Sequence, residues 1–346
     1  MSERRTFLDR GIGETRGVVT LDGRPERLVL RRDDEDLGLV LGARLIARVA
    51  NVEPAIGAAF LDLGDGREAM LPFKPDARPV RGAAVEIEIR SEARQGKLAT
   101  ARQTGEGEGA PRLLRPPPGV ADILRSVVRD ADPIEGREAR EAADDAEAEA
   151  LEVVHRLPGG GDIAIEPTRA LTSIDVDLGE RKGQDSKRAA RHANLAAIAE
   201  GARLLRLKGL GGLVILDLVG RGHDGAALLA AARLAFAPDN PGVAIGPVGR
   251  FGTMELSIPR RTRPISDYLL RADGGLADRA LAQRLVRRIE AEAQTVPGAR
   301  IVVTCAPAVA KAAEPLVASL AERYGARFAV SADASRPRER FEVAPA

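Results

Sequence analysis

Apolar and polar positions alternate most cleanly in Ala83-Ala-Val-Glu-Ile-Glu-Ile-Arg90, the pattern of a strand with one wet face. Comparable short runs at 15–22, 27–31, 37–52, 58–63, 68–71 and 97–101 are separated by Gly, Asp and Pro turn signals. Several strands at this spacing without helices predict a small barrel such as an OB-fold, assigned to residues 1–105. Composition then shifts to Gly, Glu and Arg with Pro116-Pro-Pro118, which reads as a linker. A short strand and turn are expected at 120–132. An Ala-rich helical run follows at 135–157, carrying Glu138, Glu141, Asp144, Asp145, Glu147, Glu149 and Glu152. It is read as a solvated face without chemistry, and 106–157 form one connecting region.

The segment 158–265 has a different rhythm. Gly159-Gly-Gly161 is a turn, followed by an apolar strand, a break at Pro167-Thr-Arg169, and a second strand ending in Asp175 and Asp177. A helix is predicted over 187–207 with Ala190, Leu195, Ile198, Ala202 and Leu205 inward, opened by Asp185 or Ser186 as cap. Gly211-Gly-Leu-Val-Ile-Leu-Asp217 repeats the strand-then-acid design. Gly209-Leu-Gly-Gly212 leads into a strand rather than out of one, so it is a helix stop and not a dinucleotide loop. A helix at 225–236 and strands at 242–248 and 253–258 complete an α/β layer with acids at strand ends. A basic cluster, Arg260, Arg261 and Arg263, follows it. The tail, 266–346, reads as a small α/β domain, with helices at 276–293 and 308–324 and strands at 300–305 and 327–331.

Asp175 and Asp177 lie two residues apart, so both side chains leave one face of their strand. If the Asp217 strand lies alongside, three carboxylates gather, which is repulsive unless neutralised. Mg²⁺ is the simplest remedy, because it takes one or two carboxylates, keeps several waters and leaves room for a phosphate. The competing reading is that these acids are exposed strand-end residues that cap neighbouring helices.

With 346 residues, 44% of them apolar, the chain can bury a sizeable core in two or three domains. A net charge of +1 singles out neither nucleic acid nor membrane, so any RNA contact must come from local basic clusters. Aromatics make up 3%, which limits base stacking to a few Phe residues. Cys305 is the only cysteine, which excludes an internal disulfide and makes it a buried small hydrophobe at a strand end. No apolar run reaches the length of a membrane span, and a cytoplasmic protein is the expectation.

Three stretches carry a resemblance. Ala170-Leu-Thr-Ser-Ile-Asp-Val-Asp177, then Asn194-Leu-Ala-Ala-Ile-Ala-Glu-Gly-Ala-Arg-Leu-Leu-Arg-Leu-Lys-Gly-Leu-Gly-Gly-Leu-Val-Ile-Leu-Asp217, then Gly249-Arg-Phe-Gly-Thr-Met-Glu-Leu256 resemble the catalytic core of the ribonuclease E/G family in order and spacing. Leu45–Gly64 with Ala69-Met-Leu-Pro72 resembles the family's RNA-binding OB-fold. The resemblance implies a deoxyribonuclease-I-like core and a Mg²⁺-dependent endoribonuclease that cuts single-stranded RNA, an rRNA precursor or an mRNA, and leaves a 5′-phosphate. Asp175 and Asp217 would bind the metal, and Asp177, standing where the family has Asn, would orient a ligand or the attacking water. The implied RNA contacts are Phe60 and Lys97 in the barrel, Arg181, Lys182, Arg188 and Arg191 beyond Asp177, and Arg250 and Phe251. Phe60 is equally readable as barrel core.

The chain departs from the family pattern at several points. Met70 stands where a second aromatic is usual, and Gly220 where a further acid is usual. About fifty residues replace the family's RNase-H-like and 5′-monophosphate-sensing region, so cleavage is expected to ignore the state of the 5′ end. The Cys-Pro-x-Cys zinc element has no counterpart, so no zinc is expected and any homodimer would lack that link. A catalytically impaired RNA-binding paralogue is the main alternative, and an assembly protein using only the α/β core is a third.

Overall fold

In this computed structural model residues 3–94, 96–129, 131–179 and 186–345 are described. Three antiparallel strands, β1 (Arg4–Gly11), β2 (Glu14–Leu21) and β3 (Arg24–Arg32), form a sheet of their own. The barrel consists of β4 (Arg44–Glu53), β5 (Ala58–Gly64), β6 (Arg67–Pro72), β7 (Ala84–Ser91) and β8 (Ala99–Glu106). It closes through β4–β5 and a short parallel pairing of β6 with β8, and β9 (Arg112–Arg115) adds to β4. Alternate residues such as Leu45, Val49, Leu61, Val85, Ile87 and Ile89 fill its interior. The OB-like barrel predicted from alternation is therefore present, although the first three strands are not in it. They bury side chains on both faces, with Phe7, Val18 and Leu28 toward the α/β core and Leu8 and Val19 toward a helix. A small barrel is wet outside, so strands with two dry faces need a layer on each side.

That second layer is α1 (Val120–Val127), where the sequence reading placed a strand and turn. The Asp122 carboxylate accepts from the Gly119 N–H at the helix start, and Val120 and Leu124 form one stripe against the sheet. A Cβ on Gly17 would lie 2.5 Å from Val120 Cγ1, so the approach requires glycine there.

Helix α2 (Arg137–Leu151) is not the purely solvated element expected. Its alanines 139, 143, 146 and 150 are buried, and so is Glu147. The Glu147 carboxylate meets Arg284 at 2.7 Å and lies 3.3–3.4 Å from Arg287 and Arg16. Arg16 in turn pairs with Asp9 at 2.6 Å. This network joins β1, β2 and α2 to the C-terminal region through ions that would be costly to bury singly.

The central sheet has the order β10 (Val154–Arg156), β11 (Asp162–Pro167), β12 (Thr172–Asp177), β13 (Gly212–Asp217), β15 (Thr253–Ile258), β14 (Ala244–Val248). Only β12 and β13 run parallel, joined by α3 (Ser186–Lys208), whereas α4 (Gly225–Ala235) links β13 to β14. One face of the sheet carries Ile163, Ile165, Ile174, Val176, Val214, Leu216, Met254 and Leu256 into the main core with Ala193, Ala197, Ile198 and Leu205 of α3. The C-terminal unit follows the short helix α5 (Ile265–Leu269). It comprises α6 (Asp278–Thr295), β16 (Ile301–Cys305), α7 (Pro307–Tyr324), β17 (Phe328–Ala332) and β18 (Glu342–Pro345). Cys305 is fully buried there among aliphatic side chains, as its strand-end position suggested. The chain is thus mixed α/β with an OB-like barrel, and no described helix is long and apolar enough to cross a membrane.

Candidate active site

Parallel pairing of β12 with β13 brings the distant acids together. The register sets Thr172 against Val214, Ile174 against Leu216 and Asp175 against Asp217. Adjacent strands run about 4.8 Å apart, so two carboxylates share one spot at the carboxyl ends of two parallel strands, where α/β sheets place ligands. The alternation that buries Ile174, Val176, Val214 and Leu216 turns Asp175, Asp177 and Asp217 to the opposite, exposed face. Neither the Asp175 nor the Asp217 side chain hydrogen-bonds or ion-pairs with any described residue.

Asp177 is set apart from this pair. It lies opposite Asp162 across β11, and its Oδ1 accepts the Gly179 N–H at 2.6 Å, which commits that oxygen to a local turn. Among the described residues no three His, Cys, Asp or Glu side chains converge closely enough to hold a metal. The arrangement is a pair of carboxylates plus an offset third, not a triad of equals. A hydrated Mg²⁺ needs no more than two carboxylates, so the donor set fits that ion in number and hardness.

Two features support Asp217 through backbone hydrogen bonds that the sequence did not reveal. Asn194 of α3 is buried; its Nδ2 donates to Val219 O and its Oδ1 accepts from Val219 N, both at 3.0 Å. The chain just past Asp217 is thereby fastened to the helix that follows Asp175. Its signals in the sequence were its place at the head of the second resembling stretch and a polar residue on a helix face otherwise lined by Ala, Leu and Ile. The other feature is the tight turn Gly249–Gly252. Gly249 N donates to Thr253 O, Gly252 N to Gly249 O, and Leu218 N to Gly252 O. Thr253 pairs with Asp217, so the turn stands at the rim of the carboxylate pair. It lifts Phe251 into solvent, 77% exposed, with the Arg250 guanidinium 4.5 Å from the ring centroid.

The remaining sequence candidates are spread over several surfaces. Arg188 and Arg191 are exposed on the first turns of α3, and Arg191 lies 3.7 Å from Asp224, the cap of α4. Arg181, Lys182 and Asp185 lie outside the described residues. Phe60 and Met70 are directly paired across β5 and β6 and half-buried on the barrel's outer surface, so Phe60 is not part of the barrel core. Lys97 is exposed in a tight turn bridged to Arg94. Gly220 adopts φ +92°, and a Cβ there would lie 2.9 Å from Ala190 Cβ, so the acid usual in the resembled family would be strained at this position.

Residues 137–261 match the family model described as the ribonuclease E/G family. The chain is 39% identical over 108 residues to ribonuclease E of Haemophilus influenzae, covering 30% of this chain and 12% of that protein. It is 38% identical over 108 residues to Escherichia coli ribonuclease E, 30% and 10% of the two chains. It is 31% identical over 119 residues to a chloroplastic ribonuclease E/G-like protein of Arabidopsis thaliana, 33% and 12%. The matched span is thus about a tenth of the length of these curated relatives. Asp175, Asn194, Asp217 and the Gly249–Gly252 turn all fall inside the segment that matches the ribonuclease E/G family.

Proposed function

We propose that the chain is a Mg²⁺-dependent endoribonuclease acting on single-stranded RNA. The observation that carries the reading is the register match of Asp175 with Asp217, both unpaired, on the open face of the sheet inside the family segment. These two side chains would hold the ion. When bound, Mg²⁺ lowers the pKa of a coordinated water and offsets charge on the scissile phosphate, so no histidine base is required. Asp177 keeps one oxygen free of its turn to orient the attacking water. That water loses a proton to solvent as it adds to phosphorus, and the 3′-oxygen leaves and takes up a proton from solvent, giving a 5′-phosphate and a 3′-hydroxyl. Arg188, Arg191 and Arg250 supply phosphate contacts, and Phe251 offers a ring for a base, with Arg–phosphate contacts fixing register rather than sequence.

In this reading the six-stranded sheet is a deoxyribonuclease-I-like platform, and the Phe60–Met70 surface guides the strand. Substrates are cytoplasmic rRNA precursors or mRNA, cut without regard to a 5′-monophosphate. The test is cleavage of an A/U-rich fluorescent oligoribonucleotide and of rRNA precursor, with and without Mg²⁺. Asp175→Asn and Asp217→Asn are expected to abolish cutting while thermal unfolding is unchanged, and substrates with 5′-monophosphate or 5′-triphosphate are expected to react at the same rate. Wild-type rates from both variants would reject the assignment. Tight RNA binding without cutting by the unmodified chain would favour the paralogue reading, which Met70 beside Phe60 supports by weakening one stacking platform.

A further inference from the structure

The basic segment after β15 has no part in the chemistry above, yet it lines a cleft of about 600 Å³. The cleft opens between β3, the barrel strand β7, the end of α3 and residues 258–263. It is at the opposite end of the sheet from the carboxylates. Gly212 pairs with Ile258 where Asp217 pairs with Thr253, and five strand steps span about 17 Å.

Glu92 builds the junction. This buried carboxylate accepts from Leu41 N at 3.2 Å and Arg263 N at 2.8 Å, while Glu92 N donates to Arg261 O. The barrel is thereby fixed to the segment that presents Arg261 and Arg263 to the cleft. Neither guanidinium has a carboxylate within ion-pair range among the described residues. Arg261 donates to Pro241 O at 2.9 Å, and Arg263 lies 4.7 Å over the Tyr268 ring.

Positive charge is in excess on the other walls too. Arg206, its side chain 8% exposed, is bound to Asp239, Glu26 and Ala235 O, and its Nε has no hydrogen-bond partner among the described residues. Arg27 stands beside it, and burial, reinforced by the Arg206 charge, lowers its pKa against the opposing pull of Asp239. Arg31 lies 3.6 Å from Glu35, outside hydrogen-bond range. The carboxylates that line the cleft are already engaged, Glu92 by backbone amides, Asp239 by Arg206, and Glu88 by Arg90 and Arg102. Leu210, Ile258, Pro241 and Phe236 give the same cleft an apolar wall.

We propose that this cleft is a second binding site, separate from the carboxylate pair, for a ribonucleotide phosphate, with Arg261 and Arg263 on the phosphate and the apolar wall against the base. Planar guanidiniums without carboxylate partners match a phosphate fork to fork, and a cavity of this size with an apolar lining and a few convergent charges suits a small ligand. The phosphate belongs either to a free nucleotide or to one residue of an RNA strand.

Isothermal titration of the full chain with AMP, adenosine, inorganic phosphate and a fluorescent single-stranded oligoribonucleotide tests it. The variants are Arg261→Ala/Arg263→Ala, Arg261→Lys/Arg263→Lys and Asp217→Asn. AMP is expected to bind saturably and at least tenfold more weakly to the double-Ala variant, with partial recovery in the double-Lys variant and no change in Asp217→Asn. A tenfold loss confined to the oligoribonucleotide assigns the phosphate to an RNA strand and still supports the site. Adenosine binding as tightly as AMP, or affinities for every ligand equal in wild type and double-Ala, would overturn it. Double-Ala is judged only if its thermal midpoint matches wild type; if it does not, double-Lys, which keeps the charge but not the fork, decides by losing severalfold in AMP affinity or losing none.

Discussion

Replacing Asn194 by Ala isolates the link between the fold and the site. The amide makes two 3.0 Å hydrogen bonds to the backbone of Val219 in a buried setting, and no other described group takes its place. Deleting it strands one N–H and one C=O, each costing about 1–3 kcal/mol when left without a partner. The expected destabilisation is roughly 2–5 kcal/mol, toward the lower end if water enters the gap. Asn194→Asp keeps an acceptor for Val219 N and loses the donor to Val219 O, at the expense of a buried charge, so it should fall near Asn194→Ala rather than near wild type. Urea unfolding gives the stability change through a shifted midpoint at constant slope. The same variants should cut RNA more slowly under conditions where they remain folded, because Asp217 lies two residues before the bonded position. A change below about 0.5 kcal/mol, the range of an unremarkable surface substitution, would refute the reasoning.

Other consequences concern the turn, the rim and the ion network. Gly220→Asp, which restores the acid usual in the resembled family, places a side chain at φ +92° and against Ala190, so a loss of about 1–3 kcal/mol is expected in thermal unfolding; an unchanged midpoint would contradict it. Phe251→Ala should weaken single-stranded RNA binding by about 1–3 kcal/mol in fluorescence titration with no loss of stability, since the ring is exposed. Acid lability should follow from Glu147, Glu26 and Glu200. Burial opposes ionisation of each, yet Arg287, Arg284 and Arg16 around Glu147, Arg4 and Arg206 around Glu26, and Arg203 and Arg24 around Glu200 pull their pKa values below 4.5. A lowered carboxylate pKa gives stability that is present above the unfolded value and lost as pH falls through the folded one. The urea midpoint should therefore hold from pH 7 to about 4.5 and drop below that, and Glu147→Gln should flatten part of the fall; a level profile down to pH 3 would count against the network.

Much of the site could be read from local pattern. The runs ending at Asp175 and Asp217 were recognisable as strands, their acids fall on one face by a period of two, and the helix between them lies within one residue of its expected bounds. Other features turned on partners that local pattern does not name. Alternation in β2 and β3 says strand but not which sheet, β1 was not anticipated, and the two dry faces became evident only with α1 and α2 in place. Glu147 looked like one more acid on a wet helix, because nothing near it in sequence reveals Arg16, Arg284 and Arg287. The 120–127 segment misled because its β-branched residues favour strand, while its cap and its Val120–Leu124 stripe favour helix once a sheet lies beneath it.

By itself the sequence determined the strands that end at Asp175–Asp177 and at Asp217, the helix between them, and the alternation that sends Asp175 and Asp177 out of one face of their strand. These depend on backbone geometry over a few residues, which the chain encodes locally. Only the tertiary structure decided that β12 and β13 are neighbours and parallel, in the register that sets Asp175 against Asp217, and that Asn194 ties the chain after Asp217 to α3. Register between distant strands is chosen by the burial of Ile174, Val176, Val214 and Leu216 beneath α3, a sum over contacts that no short stretch contains.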